Sequence, residues 1–115
     1  MTNWLTLNEA QQLDDIVALS HDVPCLIFKH STRCPISSAA KHRIEGSWEF
    51  SDTEIMPYYL DLIRYRSISD QIATQFEVYH ESPQVLLIKN GECIYDESHL
   101  DINVEDLKAC LLELA

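Results

Sequence analysis

The sequence contains little glycine, little proline and few basic residues. Two Gly and four Pro among 115 residues leave little room for long loops and fit a single domain spanning residues 1–115. The 8 Lys and Arg are outnumbered by 19 Asp and Glu, so the formal net charge is −11. Because phosphate binding needs a broad basic surface, this balance argues against a nucleic-acid partner. The negative charge favours solubility, and we expect a monomer.

Long apolar segments are also absent from the sequence. No run reaches the ~18 residues that a membrane-spanning helix needs, so we expect no membrane partner. The N-terminal stretch MTNWLTLNEAQQLDDIV is acidic and lacks the basic start and apolar segment of a secretory signal. This predicts a cytoplasmic location. A hydrophobic content of 46% is nevertheless sufficient for a folded core.

The cysteines lack the spacings of a dithiol motif or a zinc finger. Cys25, Cys34, Cys93 and Cys110 include no CxxC pair, and the spacings between successive cysteines are not those of a zinc finger, so we expect no metal site. Since we expect a cytosolic protein, reduced thiols fit better than disulfide bonds. Cys25, Cys93 and Cys110 lie in predicted strands or helices and are interpreted as structural, whereas Cys34 has polar neighbours.

The hydrophobic pattern predicts four helices and four strands. Helices are expected over residues 8–19, 35–45, 69–76 and 104–114, and strands over residues 23–29, 55–63, 84–89 and 92–96. Asn8, Ser69 and Asn103 are candidate N-caps, and Gly46 is expected to end the second helix. These boundaries give the element order α-β-α-β-α-β-β-α.

This element order predicts an α/β fold. Alternating strands and helices in the first half indicate parallel strands joined by crossover helices. Asn90-Gly91 is typical of a two-residue hairpin, which adds antiparallel strands at the end of the chain. We therefore expect a mixed four-stranded central sheet flanked by helices on both faces.

One segment differs from the acidic remainder of the chain. Residues Lys29–Arg43, KHSTRCPISSAAKHR, contain no acidic residue, and Cys34 stands directly before Pro35 where a strand gives way to a helix. Ligands bind at the carboxyl ends of such strands, and the partial positive charge of a helix N-terminus stabilises a thiolate. The segment also supplies local positive charge through Lys29, His30, Arg33, Lys41, His42 and Arg43. Cys34 is therefore predicted to be a reactive thiol.

Ser37 stands one helical turn after Cys34. Positions three apart share a helix face, and a dithiol redox motif would place its second cysteine here. A hydroxyl can hydrogen-bond the thiolate but cannot resolve a mixed disulfide. Alternatively, Ser37 satisfies N–H groups of the first helical turn. Either interpretation indicates a monothiol site.

These residues resemble the thioredoxin superfamily. The matching features are the strand VPCLIFKH, the motif Cys34-Pro35-Ile36-Ser37 at a helix start, and Ser82-Pro83 before the strand QVLLI. The resemblance implies a thioredoxin-like fold with a cis Ser82–Pro83 bond facing the active cysteine. It also implies that Pro35, Ser82 and Pro83 bind substrate, with backbone groups pairing with an extended chain. The alternative is an ordinary trans proline that opens a strand.

A closer resemblance is to the monothiol bacilliredoxins of the bacillithiol system. FKHSTRCPIS, Phe28–Ser37, is similar to their signature with its TCPIS-type core, from which Arg33 departs as an apparent insertion. The similarity extends from the Trp4 segment to SPQVLLIKNG. It implies that Cys34 removes bacillithiol from bacillithiolated proteins, with bacillithiol as the thiol co-substrate and no other cofactor. Arg33 is a candidate partner for a bacillithiol carboxylate.

Two other functions remain open from the sequence. One is glutaredoxin-like exchange with glutathione or another low-molecular-weight thiol, because these thiols are also anionic. The other is a redox-inactive thioredoxin-fold module that holds partners at the Pro83 groove. A Cys–His nucleophile through His30, His42 or His80 is also compatible with the residues present.

Overall fold

The computed structural model describes residues 2–114. These residues form four α-helices, one 3-10 turn and a five-stranded mixed sheet. The elements are β1 (Leu5–Thr6), α1 (Gln11–Leu19), β2 (Cys25–His30), α2 (Pro35–Ser47), β3 (Met56–Asp61), α3 (Arg66–Gln75), β4 (Gln84–Lys89), β5 (Glu92–Ser98) and α4 (Val104–Leu114). The strand order is β1-β3-β2-β4-β5, with β2 parallel to β3 and antiparallel to β4. No helix within residues 2–114 is long and apolar enough to span a bilayer.

The α/β fold is confirmed, but the sheet has five strands rather than four. The additional strand is β1, whose two residues pair in parallel with β3, Leu5 with Tyr58 and Thr6 with Tyr59. Both β1 side chains are exposed. A two-residue edge strand without a buried face has no hydrophobic alternation, so periodicity alone does not reveal it.

Two predicted helix starts are wrong. Helix α1 begins at Gln11, because the Gln12 side chain accepts the N–H groups of Asn8 and Glu9 and holds them outside the helix. Helix α3 begins at Arg66, and the proposed cap Ser69 lies fully buried inside it. The start of α1 thus follows from a local side-chain contact, whereas α3 begins one turn earlier than predicted and buries Ser69.

Other local predictions agree with the structure more closely. Asn90 and Gly91 both have positive φ, 53° and 77°, as a two-residue type I′ turn requires. The Asn103 side chain accepts the Asp106 N–H at 2.9 Å and caps α4. Gly46 does not end α2, which continues to Ser47.

The sheet separates two hydrophobic cores, and β2 contributes to both. All six residues of β2 are buried. Cys25 and Ile27 pack with α1 and α3 on one face, whereas Leu26 and Phe28 pack with α2 and α4 on the other. Because side chains alternate along a strand, Lys29 continues the α1/α3 face and His30 the α2/α4 face. The carboxyl end of the strand thus places one polar side chain on each face of the sheet.

Candidate functional site

Cys34 is the N-cap residue of α2 and lies beyond the carboxyl end of β2. Its backbone is extended (φ −107°, ψ 118°), and Pro35 occupies the first helical turn, where the missing N–H is not needed. The Cys34 N–H donates to the Ser31 carbonyl at 3.2 Å, and its own carbonyl accepts the Ser38 N–H at 3.0 Å. The thiol is free and half-buried. It therefore stands at the strand-to-helix junction that the sequence indicated.

The other cysteines are also free thiols but lie in different surroundings. Cys25 is fully buried, and burial raises its pKa to about 12. Burial raises the pKa of Cys93 to about 11 and also raises that of Cys110. Because the thiolate is the nucleophile, these three thiols are poor nucleophiles at neutral pH. Their interpretation as structural cysteines agrees with these surroundings.

Ser37 holds the loop between β2 and α2. Its hydroxyl oxygen accepts the Ser31 N–H at 3.0 Å and lies 2.6 Å from Nδ1 of His30. The side chain is fully buried. The hydroxyl thus bonds the loop and His30, rather than the Cys34 thiol or the first turn of α2 as the sequence suggested. Ser37 positions the segment that carries Cys34.

His30 is buried among aromatic rings. Its ring stacks on Phe28 with centroids 5.6 Å apart and contacts Tyr59 at the same distance. Burial, reinforced by the positive charge of Lys41, lowers the His30 pKa below its ordinary value. The imidazole is therefore neutral at neutral pH and forms part of the packed face that supports α2.

Lys29 is fully buried on the opposite face of β2. Its Nζ lies 3.4 Å from the Ser69 carbonyl oxygen and 3.4 Å from Nδ1 of His80, and it forms no ion pair with a carboxylate of residues 2–114. Burial lowers its pKa to about 8, although Asp70 opposes this effect. The sequence placed Lys29 at the end of a predicted strand and among the cations near Cys34. Its place in phase with Cys25 and Ile27 was the available signal of burial.

The segment before β4 lies at the same end of the sheet as Cys34. Lys29 pairs with Gln84 in the antiparallel β2–β4 register, so the residues after Lys29 and before Gln84 are neighbours. The Ser82–Pro83 peptide bond is cis, the isomer that the resemblance to thioredoxin-like proteins implied. Ser82 Oγ is buried without a hydrogen-bond partner among residues 2–114. Cys34 and Ser82–Pro83 therefore border one edge of the sheet.

Only some of the predicted cations remain available to this edge. Arg33 is exposed beside Cys34. Arg43 donates instead to the carbonyl oxygens of Ile102 and His99, at 3.1 and 3.2 Å, and fastens α2 to the segment before α4. Lys41 pairs with Glu45 at 3.0 Å. Tertiary contacts thus engage much of the positive charge that the sequence places near Cys34.

Comparison with known proteins identifies relatives of this chain. A family model described as monothiol bacilliredoxin BrxC matches residues 5–107, a range that includes the Cys34 segment. A solved structure described as a thioredoxin fold with a suggested oxidoreductase activity shares 32% sequence identity and a TM-score of 0.79, covering 91% of this chain and 90% of that chain. Both matches extend over most of the chain.

More distant structures share the fold alone. Thioredoxin from Malassezia sympodialis has 15% identity and a TM-score of 0.74, with 98% of this chain and 91% of that chain covered. Thioredoxin from Fasciola hepatica has 15% identity and a TM-score of 0.70, with 98% of each chain covered. The predicted thioredoxin-like fold is confirmed.

Proposed function

The chain belongs to the monothiol bacilliredoxin family, and we propose that Cys34 removes bacillithiol from protein mixed disulfides. Thiol redox chemistry is the function common to this family and to the oxidoreductase of similar structure. One observation supports the monothiol reaction most directly. Cys34 is half-buried at the start of α2, and the position one turn later holds the buried Ser37 hydroxyl instead of a second thiol.

The proposed reaction consists of two disulfide exchanges. The Cys34 thiolate attacks the bacillithiol sulfur of the mixed disulfide, the old sulfur–sulfur bond breaks, and the protein leaves as a thiolate that takes a proton from water. Bacillithiol is then bonded to Cys34. A second low-molecular-weight thiolate attacks its sulfur, regenerates the Cys34 thiolate and forms a small-molecule disulfide. Electrons are conserved in both steps, so no other cofactor is required.

The surroundings of Cys34 favour an anionic substrate. The N-terminus of α2 carries partial positive charge, and Arg33 is exposed next to the thiol. Bacillithiol bears carboxylates, which Arg33 could pair with through its guanidinium. Pro35 and the cis Ser82–Pro83 segment border the same edge and are proposed to contact the protein part of the substrate. The proposed partners are therefore bacillithiolated proteins and a low-molecular-weight thiol.

Cysteine variants test the proposed function directly. Cys34→Ser should abolish release of bacillithiol from a bacillithiolated protein, whereas Cys25→Ser, Cys93→Ser and Cys110→Ser should retain it, since burial keeps those thiols protonated. Release is measured by intact mass spectrometry of the substrate. Equal activity in all four variants would exclude Cys34 as the nucleophile.

The same method separates the two alternative functions. Incubation of the reduced protein with oxidised bacillithiol or oxidised glutathione identifies the accepted thiol from the adduct mass at Cys34. A glutathione adduct that forms at least as rapidly would favour glutaredoxin-like exchange. Absence of any adduct would favour a redox-inactive binding module.

A further inference from the structure

A polar cleft lies along α2 and begins at Ser38, four residues after Cys34. It has a volume of about 320 Å³ and is lined by His30, Ser38, Lys41, His42, Glu45 and Tyr59. We refer to it as the α2 cleft. Its volume lies in the range of small-molecule sites, ~300–1,000 Å³. It borders β3 through Tyr59, whereas the segment containing Ser82–Pro83 leads into β4.

Helical geometry places the α2 cleft within reach of a molecule bonded to Cys34. Ser38, whose N–H donates to the Cys34 carbonyl, lies about 6 Å further along the helix axis at 1.5 Å per residue. Lys41, His42 and Glu45 continue the same stripe, because residues three and four apart share a helix face. A small thiol bonded to Cys34 therefore needs to extend only one or two helical turns along α2 to contact the residues of the cleft.

The cleft combines an aromatic wall with groups of both charges. The rings of His30 and Tyr59 lie with centroids 5.6 Å apart, and Lys41 Nζ is 5.9 Å from the centre of the Tyr59 ring. Glu45 Oε2 accepts the Trp4 indole N–H at 2.8 Å and pairs with Lys41 at 3.0 Å. A fixed carboxylate, a cation and aromatic rings suit a hydroxylated ring that carries a carboxylate.

The ion pair in the cleft is exchangeable. The Lys41 and Glu45 side chains remain 33% and 36% exposed, and ion pairs at such positions contribute at most ~1 kcal/mol. A ligand carboxylate can therefore replace Glu45 as the ion-pair partner of Lys41 at little cost in free energy. Glu45 stays in place through Trp4 and offers its oxygens to ligand hydroxyl groups.

Resting on the function proposed above, we propose that the α2 cleft binds the sugar and dicarboxylate part of bacillithiol while its sulfur is exchanged at Cys34. In this arrangement Lys41 pairs with a ligand carboxylate, Glu45 accepts hydroxyl hydrogens, and Tyr59 contacts the ring. Glutathione carries carboxylates but has neither a ring nor hydroxyl groups, so it uses only the Lys41 contact. The cleft thereby selects between two low-molecular-weight thiols.

Binding is tested with a probe that cannot exchange disulfides. S-methyl bacillithiol is titrated into the reduced wild-type protein and followed by backbone amide chemical shifts. We expect changes at Ser38, Lys41 and Glu45 and a Kd about tenfold lower than for S-methyl glutathione, the discrimination of one charge-assisted hydrogen bond. Equal affinity for both probes, no detectable binding, or changes confined to the Ser82–Pro83 segment would overturn the proposal.

Two conservative variants and a matched control assign the contacts. Lys41→Gln and Glu45→Gln should each raise the Kd for S-methyl bacillithiol about tenfold, while Glu45→Gln keeps an acceptor for Trp4. The control is Lys108→Gln, which breaks an exposed ion pair with Glu49 outside the cleft. Equal weakening by Lys41→Gln and Lys108→Gln would indicate a general charge effect and refute the cleft.

The outcome is distinguishable from failure of the proposed function. If Cys34 releases bacillithiol from proteins but S-methyl bacillithiol leaves the α2 amides unchanged, only the cleft proposal fails. If the α2 amides shift but no disulfide forms an adduct at Cys34, the exchange function fails and the binding site stands.

Discussion

Two consecutive residues of β2, Lys29 and His30, are buried on opposite faces of the sheet and are held very differently. His30 stacks on Phe28 and lies 2.6 Å from the Ser37 hydroxyl. Lys29 has two contacts of 3.4 Å, to the Ser69 carbonyl and His80, and forms no ion pair with a carboxylate of residues 2–114. The polar group on the α2/α4 face is well bonded, whereas the charge on the α1/α3 face is poorly compensated.

The difference shows how the two faces contribute to stability. A neutral imidazole can be buried at little cost when it is stacked and hydrogen-bonded, but a buried ammonium without a carboxylate loses hydration that long contacts do not replace. The α2/α4 face therefore stabilises the loop that carries Cys34. The α1/α3 face gives up stability at Lys29, beside the segment that leads to Ser82–Pro83.

The largest expected effect comes from removing the buried charge. Lowering the Lys29 pKa from 10.5 to about 8 means that burying the charged form reduces the free energy of unfolding by ~3 kcal/mol. Lys29→Met keeps the volume and should raise the free energy of unfolding at pH 7 by about 1–3 kcal/mol, measured by urea denaturation. The control Lys89→Met, on the neighbouring strand, should change it by less than ~0.5 kcal/mol. A lower free energy of unfolding in Lys29→Met would contradict the claim that the buried charge of Lys29 is poorly compensated.

The pH dependence of stability, compared between the wild type and Lys29→Met, tests whether the charge is the cause. Between pH 8 and 10.5 the folded protein has released the Lys29 proton while the unfolded chain still holds it. Stability from this group therefore rises with pH across that window. The advantage of Lys29→Met over the wild type should be full below pH 8 and should shrink towards pH 10.5. A constant difference across the window would show that the charge is not its cause.

An effect of comparable size and opposite sign is expected from the other face. Ser37→Ala leaves the Ser31 N–H and His30 Nδ1 without their hydroxyl partner, which should lower the free energy of unfolding by ~1–3 kcal/mol. Ser38→Ala, at the next position of the same helix, which is exposed, should be neutral or slightly stabilising. If Ser37→Ala lowers the free energy of unfolding no more than Ser38→Ala does, the Ser37 hydroxyl does not hold the loop.

The smallest effect is expected from His30, and it concerns the free energy of unfolding at acidic pH. Burial lowers the His30 pKa below 6.5, so the unfolded chain takes up a proton before the folded protein does as the pH falls. The contribution of His30 to stability is therefore present above pH 6.5 and declines below it. His30→Gln should be less sensitive to acid between pH 6.5 and 5 than the wild type, measured by urea denaturation. Parallel pH profiles would show that the pKa of His30 is not lowered in the folded protein.

Much of the fold and of the monothiol site could be predicted from local sequence. The buried strand before Cys34, Pro35 at the start of a helix and the Asn90-Gly91 hairpin each have a local physical cause. The two exposed residues of β1 have no such pattern, because their pairing with β3 depends on distant chain. The start of α1 was missed for a different reason, because the Gln12 side chain accepts the N–H groups of Asn8 and Glu9 and neither residue type signals this contact.

Local sequence is enough to predict the α/β order of elements and the place of Cys34 between β2 and α2, because hydrophobic periodicity and the preference of proline for a helix start act over a few residues. The partners of the charged and polar groups around that thiol follow instead from how separate elements pack together. It buried Lys29 beneath His80, joined Ser37 to His30, and brought Tyr59 of β3 beside Lys41 and Glu45 of α2. These contacts join residues of different elements, and burial sets their energies.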